Sequence, residues 1–321
     1  MKTPLLERLP VALLGTAFVV LWCTGYPAAK IALAHSGPFT VLDLRFGGAA
    51  LIYVLLALAS RAPWPRGRAA LHSAGVGALQ LALQFGALYY AVAAGVNVGM
   101  VALVIGTMPI VTALLGLALG EPVRRLQWLG FALGFAGVAM AVAEGIGPAH
   151  GGAGAGAYLA VAIGLLAISI GTLYQKRLGS GVDLRSALAV QHLVAAALLL
   201  PLAALEGWRV DVSPALLGSL GWMITINSLA AFALFFVLIK RGAVNEVATL
   251  FFLMPPVTAL LDYLVLGDPL SVLKLAGIAV AAAGVYLATR PGSAAAAGGR
   301  LSAPPPAARR SCPAPCGQRS A

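Results

Sequence analysis

Charged residues are scarce in this sequence. Asp, Glu, Lys and Arg together make up 10% of the 321 residues, and 60% of the residues are hydrophobic. A soluble domain carries about a quarter charged residues, so this chain could not cover itself with a solvated surface. Its long apolar runs therefore predict a polytopic membrane protein rather than a soluble domain.

Several catalytic signatures are absent from the sequence. It has no Gly-x-x-x-x-Gly-Lys-Ser/Thr loop, so it does not hydrolyse ATP by that route, and it has neither His-Glu-x-x-His nor Gly-x-Ser-x-Gly. Of the three cysteines, Cys23 lies in an apolar run, and Cys312 and Cys316 are too close together and too isolated to predict a metal site. We expect no enzymatic activity, no catalytic residue, no metal and no cofactor.

The apolar runs predict ten membrane-spanning helices, because each run has about the 20 residues that a helix needs to cross the hydrocarbon core. The predicted all-α fold therefore consists of ten transmembrane helices. Their ranges are 11–33, 38–59, 71–93, 98–119, 125–144, 156–177, 185–205, 215–239, 246–266 and 271–289.

The basic residues lie between these runs, which indicates membrane topology rather than nucleic-acid binding, although the net charge is +11. With a cytoplasmic N-terminus, 17 of the 21 Lys and Arg fall inside, three fall outside, and Arg45 lies within a span. Positive charge favours the cytoplasmic side, so we expect both termini in the cytoplasm. The expected location is the cell (inner) membrane.

An internal repeat organises the chain. Residues 108–115 (MPIVTALL) return 146 residues later as 254–261 (MPPVTALL), and further matches connect Gly25 with Gly171 and Lys30 with Lys176. We divide the chain into repeats at 1–145 and 146–290 and a disordered cytoplasmic tail at 291–321. Five spans per repeat make the second repeat inverted, an architecture typical of secondary transporters.

Short motifs are spread over nearly the whole chain. They are Leu21-Trp22-Cys23-Thr24-Gly25-Tyr26-Pro27 with Lys30, Leu44-Arg45-Phe46, Pro109, Gly120-Glu121-Pro122, Gln127-Trp128-Leu129-Gly130, Gly134-Phe135-Ala136-Gly137-Val138, Pro255, Gly267-Asp268-Pro269 and Gly284-Val285. Together they resemble the drug/metabolite transporter superfamily, in particular its EamA-type exporters. The resemblance implies an inverted five-plus-five repeat of ten helices, cytoplasmic termini, and export of small metabolites such as amino acids or related compounds. Asp268 stands where the family more often has Glu.

Arg45 is the sharpest candidate for the substrate pathway. A charge at membrane depth is costly and normally faces a cavity or a partner, so Arg45 could attract or orient a carboxylate. The alternative is a snorkelling arginine that pairs with Asp43 or with a helix end. Asp43 and Arg45 are two residues apart and point to different sides of a helix, which makes a direct salt bridge between them doubtful.

Pro109 and Pro255 occur at corresponding positions of the two repeats, in mid-segment. Proline removes a backbone hydrogen bond and clashes with the preceding turn, so these residues predict kinks that bind substrate or act as hinges. A static kink that serves packing is the alternative. Other expected pathway residues, for which helix packing is an equal explanation, are Trp22, Thr24, Tyr26, Gln84, Gln191 and Asn227.

The leading hypothesis is a secondary transporter that exports a small metabolite by alternating access between the two repeats. A lipid flippase of the same superfamily is the main alternative, and an intramembrane enzyme is a weaker one. The expected partners are a small-molecule substrate and membrane lipid, without nucleic acid. A homodimer stays open, as do the substrate, the coupling ion and the direction of transport.

Overall fold

The computed structural model describes residues 9–96, 101, 104–120, 123–142, 153–178, 181–241, 250–266 and 271–289. Within these ranges the regular secondary structure is helical, and the one β-type pairing is an isolated bridge between Ser36 and Val210. The all-α fold class is thereby confirmed. The predicted tail, Glu121, Asp268, Cys312 and Cys316 lie outside the described residues.

Six helices are long and apolar enough to cross a membrane. They are α1 (Val11–Leu33), α2 (Pro38–Ala59), α3 (Arg68–Ala93), α6 (Ala155–Leu178), α7 (Leu184–Leu205) and α8 (Pro214–Ile239). Four others, which lie between and after these in the chain, are α4 (Met108–Ala118), α5 (Arg125–Val142), α9 (Met254–Leu266) and α10 (Val272–Thr289). Six predicted spans are confirmed as helices of membrane-spanning length, whereas the total of ten crossings stays a prediction.

Capping residues explain where several helices begin. Pro38 and Pro214 stand in the first turns of α2 and α8, where the missing proline N–H costs nothing. Ser213 Oγ accepts a hydrogen bond from Leu216 N at 3.2 Å, and Asp183 Oδ1 accepts one from Arg185 N at 3.0 Å. These contacts satisfy backbone donors at the starts of α8 and α7.

The surface of the helix bundle is strongly apolar. Leu205 is 85% exposed, and Leu71, Leu159 and Leu217 are also well exposed. A soluble monomer rarely presents so much apolar surface, whereas lipid tails accommodate it. The fully buried side chains include a group of phenylalanines: Phe18, Phe46, Phe232, Phe235, Phe236 and Phe251.

The prolines of the repeated segment follow local breaks in helical backbone, because residues 104–106 are helical before the turn at Thr107 and residue 250 is helical before the 3₁₀ turn at Phe251–Leu253. α4 begins at Met108, directly after a turn at Thr107, and Pro109 occupies its first turn. A short 3₁₀ helix at Phe251–Leu253 precedes α9, so the backbone of Pro255 also lies in a first turn. The first turn tolerates proline because its N–H groups have no partner within the helix.

The two halves share irregular features at the repeat spacing. A π-helical segment at Gly77–Leu83 interrupts α3, and another at Met223–Ala231 interrupts α8. They begin 146 residues apart, the same offset as the sequence repeat. Segments of this kind are rare and often mark functional sites.

Corresponding helices of the two repeats pack against each other, α2 against α7 and α5 against α10. In the second pair the backbones touch at glycines. A Cβ atom added to Gly130 would lie 2.7 Å from the Gly284 carbonyl oxygen, and one added to Gly137 would lie 2.6 Å from that of Gly277. Gly130 meets Gly284, and Gly137, which is further along α5, meets Gly277, which is earlier in α10. The two helices therefore run antiparallel.

Contacts between loops group the helix ends into two sets. At one end, which we call the basic end, Arg241 bonds the Leu9 carbonyl at 3.0 Å, Ser186 bonds that of Pro63 at 2.7 Å and Arg177 bonds that of Leu119 at 3.0 Å. At the opposite end, which we call the Glu206 end, the loop at 34–37 contacts the loop at 206–213. Ser36 Oγ donates to the Arg209 carbonyl at 2.9 Å, and His35 lies 3.1 Å from Asp211.

Candidate functional site

Arg45 is buried at the centre of the candidate site, seven residues after the start of α2. Its side chain is 3% exposed, and its Nε donates to Ser228 Oγ at 2.9 Å. The guanidinium carbon lies 4.9 Å from the centre of the Phe85 ring and 5.3 Å from that of Phe46, within cation–π range. The Tyr89 side chain also interacts with the guanidinium.

This environment leaves the positive charge of Arg45 without an anionic partner from the described part of the chain. Ion pairs in the described residues include those of His35 with Asp211 and of Arg185 with Asp183, and neither involves Arg45 or the nearby Asp43. Two aromatic rings and the hydroxyls of Ser228 and Tyr89 offset only part of the cost of burying a charge. The site is therefore suited to an anion brought by a ligand.

A break in α1 forms the next part of the site. The helix is interrupted at Thr24, whose Oγ1 donates to the Leu21 carbonyl at 2.6 Å. Asn227 Nδ2 donates to the same carbonyl at 2.7 Å, and Trp222 Nε1 donates to Thr24 Oγ1 at 3.0 Å. The α8 π segment thus holds the α1 break, and Asn227 precedes the residue that binds Arg45.

The Asn227 amide leaves one acceptor unused, because its buried Oδ1 atom has no hydrogen-bond partner in the described residues. Gly25 provides the space for this amide, since a Cβ atom at Gly25 would lie 3.0 Å from Asn227 Nδ2. Ser228, the next residue, contacts Arg45, so Asn227 and Ser228 connect α8 with two different parts of the site.

Trp22 reaches the Arg45 site through shared aromatic neighbours. Its ring lies 4.9 Å from Phe232 and 6.0 Å from Phe85, the ring that also contacts the guanidinium. Gln84 precedes Phe85 in α3 and is buried, whereas Tyr26 is half-buried against the core. The structure thus connects Trp22, Thr24 and Asn227 with Arg45, and it places Gln84 next to a residue of the same cluster.

Gln191 occupies the position in the second repeat that corresponds to Arg45, but it belongs to a different environment. Its Nε2 lies 3.5 Å from Gln175 Oε1, a long hydrogen bond. With Gln175, His72, Ser73, Val76, Val182, Leu184 and Ala187 it lines a pocket at the basic end. The structure therefore does not bring Gln191 into the Arg45 cluster.

Pro109 is not among the residues that contact Arg45. Pro109 is buried at the start of α4, and the side chain of Pro255 lies outside the described residues. α9 is tied to the α1 break nevertheless, because Cys23 Sγ donates to the Met254 carbonyl at 3.4 Å. The start of α9 therefore approaches the α1 break.

Sequence reasoning missed Ser228, Phe85 and Glu206. Ser228 and Phe85 directly follow the predicted residues Asn227 and Gln84, so the sequence pointed to the correct helices. It is Ser228 and Phe85, however, that face Arg45. Glu206 accepts hydrogen bonds from Phe39 N at 3.1 Å, Thr40 N at 2.9 Å and Thr40 Oγ1 at 3.0 Å. It is an acid at the loop end of α7, and nothing in its local sequence indicates that it caps α2.

Comparisons with known proteins agree with this architecture. The model of the EamA-like transporter family matches residues 9–143 and 155–290. The chain is 26% identical to the uncharacterized transporter YvbV of Bacillus subtilis, over 85% of this chain and 89% of that protein, and 26% identical to the uncharacterized inner membrane transporter YedA of Escherichia coli, over 85% and 88%. A solved crystal structure superposes with a TM-score of 0.71 at 22% identity, over 87% of this chain and 96% of the other, which supports the fold.

Proposed function

Because the chain belongs to the EamA-like transporter family, we propose that it is a secondary transporter that exports a small metabolite, such as an amino acid or a related compound, across the inner membrane. The observation that carries this proposal is the buried Arg45, which has aromatic walls and a hydroxyl partner but no ion pair within the described residues. A substrate carboxylate would complete its coordination.

Ten spans in two inverted halves are part of the proposal. The contact of Gly130 with Gly284 and that of Gly137 with Gly277 are reciprocal, because Gly277 corresponds to Gly130 and Gly284 to Gly137. Reciprocal contacts of this kind are characteristic of a two-fold relationship. Since α5 and α10 run antiparallel, the axis would lie across the helices, that is, in the membrane plane.

The grouping of helix ends supports the same inversion. Leu9, just before α1, bonds Arg241 at the basic end, whereas the corresponding helix α6 finishes at that end with Arg177. α1 and α6 therefore run in opposite directions. The basic end carries most of the interhelical Lys and Arg, so we assign it to the cytoplasm, together with both termini.

Alternating access requires contacts that close one end of the bundle, and the Glu206 end has such contacts. Glu206 accepts hydrogen bonds from the first turn of α2, and the His35–Asp211 and Ser36–Arg209 contacts lie at the same end. In the proposed cycle the contacts around Glu206 form the outer gate.

The function is tested by transport into proteoliposomes that contain the purified protein. A panel of amino acids and small carboxylates would be offered with and without a pH gradient, and protein-free vesicles would serve as the control. Saturable movement of one compound class supports the proposal. If no soluble compound moves but a fluorescent lipid crosses between leaflets, the lipid flippase replaces it.

A further inference from the structure

A buried amide on the π-helical segment of α3 lies outside the Arg45 site. Gln80 is 1% exposed, and its Nε2 donates to Thr172 Oγ1 at 3.0 Å. It occupies a notch in α6 at Gly171, where an added Cβ atom would lie 2.5 Å from Gln80 Cγ. The Thr172 hydroxyl in turn donates to the Ile168 carbonyl of its own helix at 2.7 Å. A hydrogen-bond chain therefore runs from Gln80 through a threonine hydroxyl into the backbone of α6.

The same arrangement joins the π-helical segment of α8 to α1. Asn227 lies against Gly25, and its Nδ2 donates to Thr24 Oγ1 at 3.3 Å. The Thr24 hydroxyl donates to the Leu21 carbonyl at 2.6 Å. We call the Gln80 set of contacts the α3–α6 joint and the Asn227 set the α8–α1 joint. Each joint consists of a buried amide, a glycine notch and a threonine hydroxyl.

The two joints are equivalent under the internal repeat. Gly25 and Gly171 are 146 residues apart, and the two π-helical segments begin at the same spacing. The α3–α6 joint takes its amide from the first repeat and its glycine from the second, and the α8–α1 joint does the reverse. Such reciprocal contacts are characteristic of a two-fold relationship. The amides are 147 residues apart, so an alignment of the repeats at 146 does not pair them.

The two joints differ in the number of hydrogen bonds that each amide makes. Asn227 Nδ2 also donates directly to the Leu21 carbonyl at 2.7 Å, at the α1 break, whereas Gln80 has only the threonine hydroxyl among the described residues. Pro27, which lacks a backbone N–H just after the break, has Leu173 as its counterpart in the continuous helix α6. The break is therefore encoded in α1 alone, and what can exchange between the joints is the bonding of the amides.

From these observations we propose that Gln80 and Asn227 are positioning residues for transport, and that the two joints gain and lose hydrogen bonds in turn as the repeats exchange roles. The inference rests on the proposed function and deepens it, since it names residues that set the balance between the inward-open and outward-open states. Here the α8–α1 joint makes more hydrogen bonds, and the contacts at the Glu206 end are formed.

The direction of the effect follows from the inversion of the repeats. The opposite access state exchanges the two halves, so the α3–α6 joint makes more hydrogen bonds when the Glu206 end is open. Removing the Asn227 amide should therefore favour opening of this end, and removing the Gln80 amide should favour its closure. Two residues that served packing alone would have no reason to act in opposite directions.

The test measures how often the Glu206 end opens. Thr40→Cys places a thiol at a position that is fully buried in the first turn of α2, and the backbone N–H contacts with Glu206 are retained. N-ethylmaleimide should react with this thiol at a rate set by the open fraction. The protein also carries Cys312→Ser and Cys316→Ser, and labelling of the buried Cys23 is measured without the added cysteine. Labelling in proteoliposomes is followed by mass spectrometry.

Asn227→Leu should raise the labelling rate of Thr40→Cys about 3-fold, the effect of one interhelical hydrogen bond in a membrane protein. Gln80→Met, which keeps the side-chain length, should lower the rate by a similar factor. Gly25→Ala and Gly171→Ala fill the two notches, so each should act in the same direction as the amide variant of its joint.

The control variants change exposed side chains of the same two π-helical segments. Thr225→Ala and Leu83→Ala should leave the labelling rate of Thr40→Cys unchanged. Thermal unfolding of every variant is measured in parallel. A lower melting temperature with an unchanged labelling rate in the Asn227 and Gln80 variants would assign both amides to packing and overturn the inference.

Shifts of the same sign in Asn227→Leu and Gln80→Met, or opposite shifts with the expected signs exchanged, would also overturn the inference. Its outcome is separable from that of the proposed function, because the labelling needs no substrate. The expected shifts in a protein that moves no soluble compound would leave the joints standing. Transport by a protein without these shifts would remove the joints and keep the transporter.

Discussion

Phe46 and His192 occupy the same position in the two repeats, 146 residues apart, and their rings are in contact with centroids 5.8 Å apart. Equivalent residues of two copies touch each other only near an axis that relates the copies. In the proposed inverted repeat, the α2–α7 pair would therefore lie close to the two-fold axis. Arg45 and Gln191 are the preceding residues of the two helices, so the two polar sites diverge from this central contact towards opposite ends.

The glycine contacts between α5 and α10 should be sensitive to a single methyl group. Gly137→Ala places a Cβ atom 2.3 Å from the Ala281 backbone nitrogen, and Gly284→Ala places one 2.4 Å from that of Gly134. Because backbone cannot yield as a side chain does, we expect each change to destabilise the protein by about 1–3 kcal/mol. Thermal unfolding in detergent measures the effect.

Gly47→Ala is the matched control for these glycine variants. A Cβ atom at Gly47, in the interior of α2, has no neighbour within 4 Å, so alanine should be neutral or stabilising by about 0.5–1 kcal/mol. Equal melting temperatures for Gly137→Ala, Gly284→Ala and Gly47→Ala would show that the α5–α10 contact does not limit stability.

The sequence predicted the parts of the fold that depend on local composition. The bounds of α2 are those predicted, and α1, α7 and α8 differ from prediction by at most one residue at an end. Apolar length sets these bounds, and proline, serine or aspartate marks several of the starts. The interruptions before Met108 and Met254 fall where a mid-segment proline predicts a disturbed turn.

The site was less predictable because tertiary contacts build it. Arg45 could be singled out, since a charge in an apolar run is conspicuous, but its partner Ser228 lies 183 residues away on a π-helical segment. No local sequence pattern in either repeat predicts a π-helical segment. Glu206 likewise looks like an ordinary loop acid until α7 is packed beside α2.

Asn227 should be needed to hold the break in α1. Asn227→Ala removes the hydrogen bond to the Leu21 carbonyl, and interhelical hydrogen bonds in membrane proteins average about 0.6 kcal/mol. We expect a small loss of stability together with a several-fold loss of transport rate, because the break adjoins the Arg45 site. Thr225→Ala on the same segment, whose exposed hydroxyl donates to the carbonyl of Gly221 in its own helix, should preserve both. Full transport by Asn227→Ala would assign Asn227 to packing alone.

The Glu206 contacts should keep one end of the bundle closed. In a Ser36→Cys/Val210→Cys protein, a disulfide should form under mild oxidation, because these residues form a backbone bridge. Adding Glu206→Gln weakens the charge-assisted bonds to Phe39 and Thr40 and should reduce the cross-linked fraction. Glu206→Asp, which keeps the charge, should reduce it less. An unchanged cross-linked fraction in the Glu206→Gln protein would show that Glu206 does not help to keep this end closed.

The assignment of the basic end to the cytoplasm makes a direct prediction about labelling. Arg66→Cys and Arg209→Cys place thiols at exposed positions in loops at the two ends, in a protein that lacks Cys312 and Cys316. In intact spheroplasts, a membrane-impermeant maleimide should label Arg209→Cys and spare Arg66→Cys, and permeabilised cells should label both. The reverse pattern would invert the topology and with it the side assigned to the gate.

The most direct test of the account is the transport rate of Arg45 variants for a carboxylate substrate found in the proteoliposome panel. Arg45→Ala should lower the rate at subsaturating substrate about 10- to 100-fold, because a hydrogen bond to a charged group contributes about 1.5–3 kcal/mol. Arg45→Lys should retain part of the rate, and Arg66→Ala, at an exposed loop position, should retain all of it. Undiminished transport of the carboxylate by folded Arg45→Ala protein would contradict the account.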